Sequence, residues 1–136
     1  AEVPAPELPR VTEQSPNPVR SLDGPAETWT QTRDHGARQT ENRHTHGWEK
    51  VWDGGRTYGA GATWSVIVDD DPTSCRVITE NVAECEHPGV RARCEGRLEQ
   101  WCDRDRIHLE ITQRVFRDGE PFFERTWRES FPRDLY

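Results

Sequence analysis

The sequence predicts an all-β, antiparallel fold, a sandwich or partial barrel made of several short strands. Three observations carry this. Residues 89–131 alternate apolar and charged side chains through three consecutive segments. Turn signals separate those segments, Asp103-Arg104 in one place and Asp118-Gly119 in the other. No segment keeps a helical period for longer than a turn or two.

The meander of 89–131 is the clearest part. Val90, Ala92, Cys94, Gly96 and Leu98 alternate with Arg91, Arg93, Glu95, Arg97 and Glu99, giving one apolar and one charged face. Ile107, Leu109 and Ile111 alternate with His108, Glu110 and Thr112, and Val115 extends the apolar side. In the third segment Phe123, Arg125, Trp127, Glu129 and Phe131 share a face opposite Glu124, Thr126, Arg128 and Ser130. With a loop over 118–120, Val115 would lie opposite Phe123 and Ile111 opposite Trp127, so large apolar groups meet across strands.

Upstream, residues 27–33 read as a first strand with Trp29 as its buried group, and Asp34-His35-Gly36 as a turn. Residues 39–51 form a polar second strand that runs toward Trp48 and Trp52, and Asp53-Gly54-Gly55 signals another turn. The stretch 57–62 is small and flexible, and 63–68 is a strand. Residues 69–74 end that strand, because Pro72 cannot donate to a ladder and Asp favours turns. A further strand covers 75–82, and a loop follows to Pro88.

Length and composition bound the rest. A chain of 136 residues makes one domain, here 26–136, preceded by a strap or linker over 1–25 that holds six of the ten prolines. Hydrophobic and charged residues each make up 32%, so any core must be thin and sheet-like. A net charge of -7, with Arg dispersed among carboxylates, argues against a nucleic-acid partner, which needs a clustered positive field. No apolar run approaches the ~20 residues of a membrane helix. The chain has no Met and begins at Ala1, so we expect a piece of something longer.

Four cysteines, Cys75, Cys85, Cys94 and Cys102, would suggest two bridges in a secreted domain and small buried thiols otherwise. Cys94 and Cys102 share a strand face but lie ~26 Å apart along it, too far to bond to each other. Pairings across strands stay open. No Cys-x-x-Cys spacing marks a zinc or redox site.

Few groups suggest chemistry. His44-Thr45-His46 places two imidazoles on one strand face, half of a metal site that would need a third ligand such as His35. Asp69-Asp70-Asp71 has the charge of a calcium loop without its spacing. Ser, His and acids are present, but no Gly-x-Ser-x-Gly elbow is. Six Trp are many for this length, and Trp48 with Trp52 beside Gly54-Gly55 are the candidate binding residues, a stacking platform for sugars or flat ligands. The competing reading of those rings is packing in a core or interface.

Taken in order, Tyr58-Gly59, a Trp-containing strand, Asp70-Asp71-Pro72-Thr73-Ser74, a strand into the meander, Arg125-Thr126-Trp127 and Phe131-Pro132-Arg133-Asp134-Leu135 resemble the carboxyl-terminal end of the X-prolyl dipeptidyl-peptidase / cocaine-esterase family of serine hydrolases. The resemblance covers about residues 14–136. Thr73, Cys75 and Phe131 stand where that family has Leu, Ala and Ile. It implies a jelly-roll-like (galactose-binding-like) sandwich, incomplete here, that packs on an α/β-hydrolase domain upstream or in another chain. The family's nucleophile and triad lie in that other domain, so no catalytic residue is carried over, and no cofactor or metal is implied.

The expected function is therefore that of a non-catalytic carboxyl-terminal β domain. It would support the hydrolase domain, the substrate cleft or a homo-oligomer in an enzyme that cleaves ester or amide bonds. The alternative is an independent β-sandwich module that binds carbohydrate or another small ligand. A bacterial cytoplasmic location is favoured, or a secreted one if the four cysteines are paired.

Overall fold

The computed structural model describes residues 20–22, 27–52 and 54–133. It is all-β: eight antiparallel strands in one open sheet. They are β1 (Arg20–Leu22), β2 (Thr28–Asp34), β3 (Gln39–Trp52), β4 (Gly55–Val68), β5 (Asp71–His87), β6 (Val90–Cys102), β7 (Arg106–Arg117) and β8 (Glu120–Pro132). From β3 to β8 each strand pairs with the next in sequence. β1 and β2 share the far edge of β3, where β1 pairs with Glu49 to Val51 and β2 with Gln39 to Thr45. The segment assigned to the strap thus supplies a three-residue strand, while residues 1–19 lie outside the described residues.

Alternation gives the sheet two unlike faces, because residues directly opposite in register share a side. One carries Trp48, Val77, Ala83, Cys94, Leu98, Ile111, Val115, Phe123 and Trp127. The other carries a lattice of ion pairs. Arg56 donates to Glu86 at 2.7 and 3.0 Å, Arg91 to Glu84 at 2.8 Å, Arg97 to Glu99 at 2.8 Å and Arg128 to Glu110 at 2.6 Å. Such exposed pairs contribute little each and mainly keep that face wet.

The apolar face is not covered. Among the described residues no hydrophobic side chain is buried, and Gly59 is the one buried residue. Ile111 is 38% exposed, Phe123 42% and Phe131 48%. The second layer that would complete a sandwich is not among the described residues.

The meander holds as expected, with one adjustment. The β7–β8 loop is the two-residue turn Asp118-Gly119, closed by the pair Arg117 and Glu120. Both turn residues have positive φ, 52° and 88°, as the hairpin twist demands. A register shift between Val115 and Phe116 then sets Val115 opposite Phe123 and Ile111 opposite Trp127. The extra residue is Phe122, which stands 71% exposed.

Three other expectations are corrected. Residues 57–62 are ordinary strand within β4, because rings from β3 and an amide from β5 occupy the space that side chains at Gly59 and Gly61 would need. Pro72 lies inside β5, where Val66 pairs with Arg76 but Val68 with Asp71, so residues 72–75 fall outside the ladder and Pro72 need not donate to it. β5 also runs on to His87, and the loop before the meander shrinks to Pro88-Gly89.

Candidate binding surface

The aromatic groups gather along β3 and the neighbouring β2. Trp29, opposite His44, is 71% exposed rather than buried, since β2 is an edge strand over which none of the described residues packs. Its indole stacks on His44 with centroids 4.1 Å apart, and His44 stacks on His46 at 5.4 Å. Glu27 holds this row from the edge. One of its oxygens lies 2.9 Å from His44 Nε2 and accepts from Trp29 Nε1 at 3.4 Å. These hydrogen bonds, His44 foremost, hold the Glu27 carboxyl below the ordinary range.

Trp48 continues the row on the same face, two residues on. Its ring lies across Gly59, and Lys50 Nζ sits 5.7 Å from its centroid. His46 lies in the same way over Gly61, with Asn81 Oδ1 on the other side. His46 Nδ1 is buried without a hydrogen-bond partner among the described residues. Trp52 ends β3, and its side chain lies outside the described residues.

His44 and His46 do share a face, but His35 lies in the β2–β3 turn, well away from them. Among the described residues no three His, Cys, Asp or Glu side chains are grouped to hold a metal ion. The three aspartates at 69–71 are held by arginines and a threonine rather than turned toward one point, and Arg38 reaches both Asp69 and Asp70. Asp69 pairs with Arg33, Asp70 with Arg38, and Asp71 accepts from the Thr73 amide at 3.0 Å and its hydroxyl at 2.6 Å.

The charged face holds a cluster that periodicity did not reveal. His108 Nε2 lies 2.7 Å from Asp103 Oδ2, and its ring stacks on Trp101 at 5.3 Å. Asp103 Oδ1 also accepts from the amides of Asp105 and Arg106, each at 2.8 Å. With His108 as the leading cause, the Asp103 carboxyl is held down at about 2. Ser130 stands directly opposite His108 on β8, so a serine, a histidine and an acid meet at one corner. Ser130 Oγ, however, accepts from Arg106 Nε, and no Ser130–His108 hydrogen bond is present. The cluster lacks the base–nucleophile contact that activates a serine. What could have revealed it is the Asp at the start of a tight turn, five residues before a His.

On the same charged face a concave trough of about 710 Å³ crosses the sheet centre, with Ala60, Ala62 and Val82 on its floor and Glu95, Arg97 and Arg114 at its sides. Its flanking charges are spent on neighbours. Arg97 donates to Glu80 and Glu99, and Arg114 lies 3.4 Å from Glu124. Compared with protein-family models, with curated proteins and with solved structures, the chain gave no match.

Proposed function

We propose that this chain is a non-catalytic β domain of a larger serine hydrolase that cleaves ester or amide bonds, docked through its apolar face. The observation that carries the reading is that face, which runs across β3 to β8 with no layer over it among the described residues. Strands ~4.8 Å apart and 12 to 17 residues long give it an area on the order of 1,000 Å², more than the ~800 Å² per partner of a standard interface. The apolar part of that face is costly to leave in water at ~25 cal/mol per Å², so a covering partner is favoured. The order of motifs from Tyr58-Gly59 to the Phe131-Pro132-Arg133 end supplies the class of partner, an α/β-hydrolase domain.

The test is sedimentation of the 136-residue chain alone, together with labelling by a fluorophosphonate. Concentration-dependent association and no label are expected. A monodisperse monomer with a sharp melt would refute the docked-domain reading, and a labelled serine, Ser130 above all, would refute the non-catalytic one.

A second reading rests on the exposed aromatic row. Trp48, with Lys50 beside it and His46 next in line, is a surface on which a sugar or other flat ligand could stack. Titration of Trp fluorescence with a glycan panel decides it. A saturable shift that Trp48→Ala abolishes would favour an independent binding module.

A further inference from the structure

We infer that Cys75 and Cys102 are a redox pair that closes into a cross-strand disulfide, while Cys85 and Cys94 stay free. All four thiols are free in the structure. The β5–β6 ladder ends at Arg76 opposite Trp101, and its register continued by one step would set Cys75 beside Cys102. Contacts confirm the approach. Cys102 Sγ lies 3.9 Å from the Cys75 carbonyl oxygen and 3.2 Å from that of Pro72. Directly opposite residues have Cα atoms ~4.5–5.5 Å apart, inside the ~4.4–6.8 Å that a disulfide spans.

The other pairings fail on distance. Cys85 lies opposite Ala92 and Cys94 opposite Ala83, so those two are diagonal neighbours. Diagonal Cα separations are ~7–8 Å, beyond the disulfide range. Cys75 and Cys85 sit ten residues apart on one strand, ~33 Å at strand rise. Residues 72–75 also lie outside the β4–β5 ladder, which leaves Cys75 free to adjust toward its partner without breaking a pair.

The chemistry balances with a small-molecule disulfide as oxidant. The Cys102 thiolate attacks it to form a mixed disulfide and releases one thiolate. The Cys75 thiolate then attacks the Cys102 sulfur, forming the 75–102 bond and releasing a second. The protein gives up two electrons and two protons, which leave with the two small thiols. Cys102 stops donating to the Pro72 carbonyl, but that oxygen keeps Arg133 Nη2 at 3.3 Å. The bond would therefore clip residues 72–75 to the end of β6 without stranding a polar group.

The test equilibrates the chain in glutathione buffers from fully reduced to fully oxidised, caps the remaining thiols and digests with trypsin. Cleavage at arginine places the four cysteines on separate peptides, 57–76, 77–91, 94–97 and 98–104. We expect one crosslink, joining 57–76 to 98–104, with Cys85 and Cys94 still capped. Cys75→Ser should abolish it and leave glutathione on Cys102, while Cys85→Ser with Cys94→Ser should leave its yield unchanged. A crosslink between 77–91 and 94–97, a random mixture of pairings under native conditions, or stable glutathione on Cys102 with Cys75 capped would each overturn the inference.

Discussion

The indole of Trp48 lies across the backbone of Gly59, its register partner on β4, so that a Cβ at position 59 would come 2.6 Å from Cε2. The ring supplies cover that the glycine cannot, and the glycine supplies room that no other residue would leave. Gly59→Ala should therefore displace Trp48 at a cost of about 1–3 kcal/mol, the usual range for overpacking. A lower urea midpoint with a shifted Trp emission is the expected result. Unchanged emission and midpoint would show that Trp48 does not depend on this approach.

Asp103 ties the β6–β7 turn to His108, and its carboxyl titrates at about 2 against an ordinary 3.8. A carboxylate held low in the folded state adds stability that is present above the unfolded value and lost as pH falls toward the folded one. Asp103→Asn keeps the turn acceptor but removes the charge. The variant should melt below the parent at pH 6, and the gap should close between about pH 4 and pH 2. A gap that persists at the lower end would mean that shape, not charge, is what Asp103 contributes.

Ile111 sits in the middle of the apolar face, between Leu98 on β6 and Trp127 on β8. If that face is a docking surface, Ile111→Thr should weaken self-association of the isolated chain while leaving its strand content intact, since Thr suits a strand as well. Sedimentation velocity and far-ultraviolet circular dichroism check both halves. An unchanged association constant would place the contact elsewhere.

Gly119 has φ +88° in the turn between β7 and β8. An alanine there is forced into a left-handed conformation, which costs about 1–2 kcal/mol. Gly119→Ala should lower the urea midpoint accordingly, and Gly119→Asn should lower it less, because Asn tolerates that region. Equal loss in both variants would point to a side-chain clash, although the space around this glycine is open.

Strand alternation alone makes β6, β7 and β8 legible, down to the meeting of Val115 with Phe123 and of Ile111 with Trp127. It misplaces the loop only because a bulge and a longer loop have the same effect on register downstream. The failures at β4 and β5 share one cause. Gly59, Gly61 and Pro72 are local signals against a strand, and each is overridden by a group from elsewhere: the Trp48 ring, the His46 ring with Asn81, and a break in pairing with β4. The expected burial of Trp29 fails for the complementary reason, since burial depends on what lies above an edge strand.

Of the candidate surface, the sequence set His44 and His46 on one strand face, which follows from the two-residue period alone, and marked Trp48 separately, with Trp52, as a stacking platform. It could not show Trp29 stacked on His44, Asp103 bound to His108, or Cys75 beside Cys102. Those contacts depend on which strand lies next to which and in what register, and register is set by bulges and turns acting across the sheet. The sequence by itself thus determined the strands and their two faces, because a side chain's face follows from its parity along the chain. The tertiary structure alone decided the partners, because a partner is a property of two segments at once.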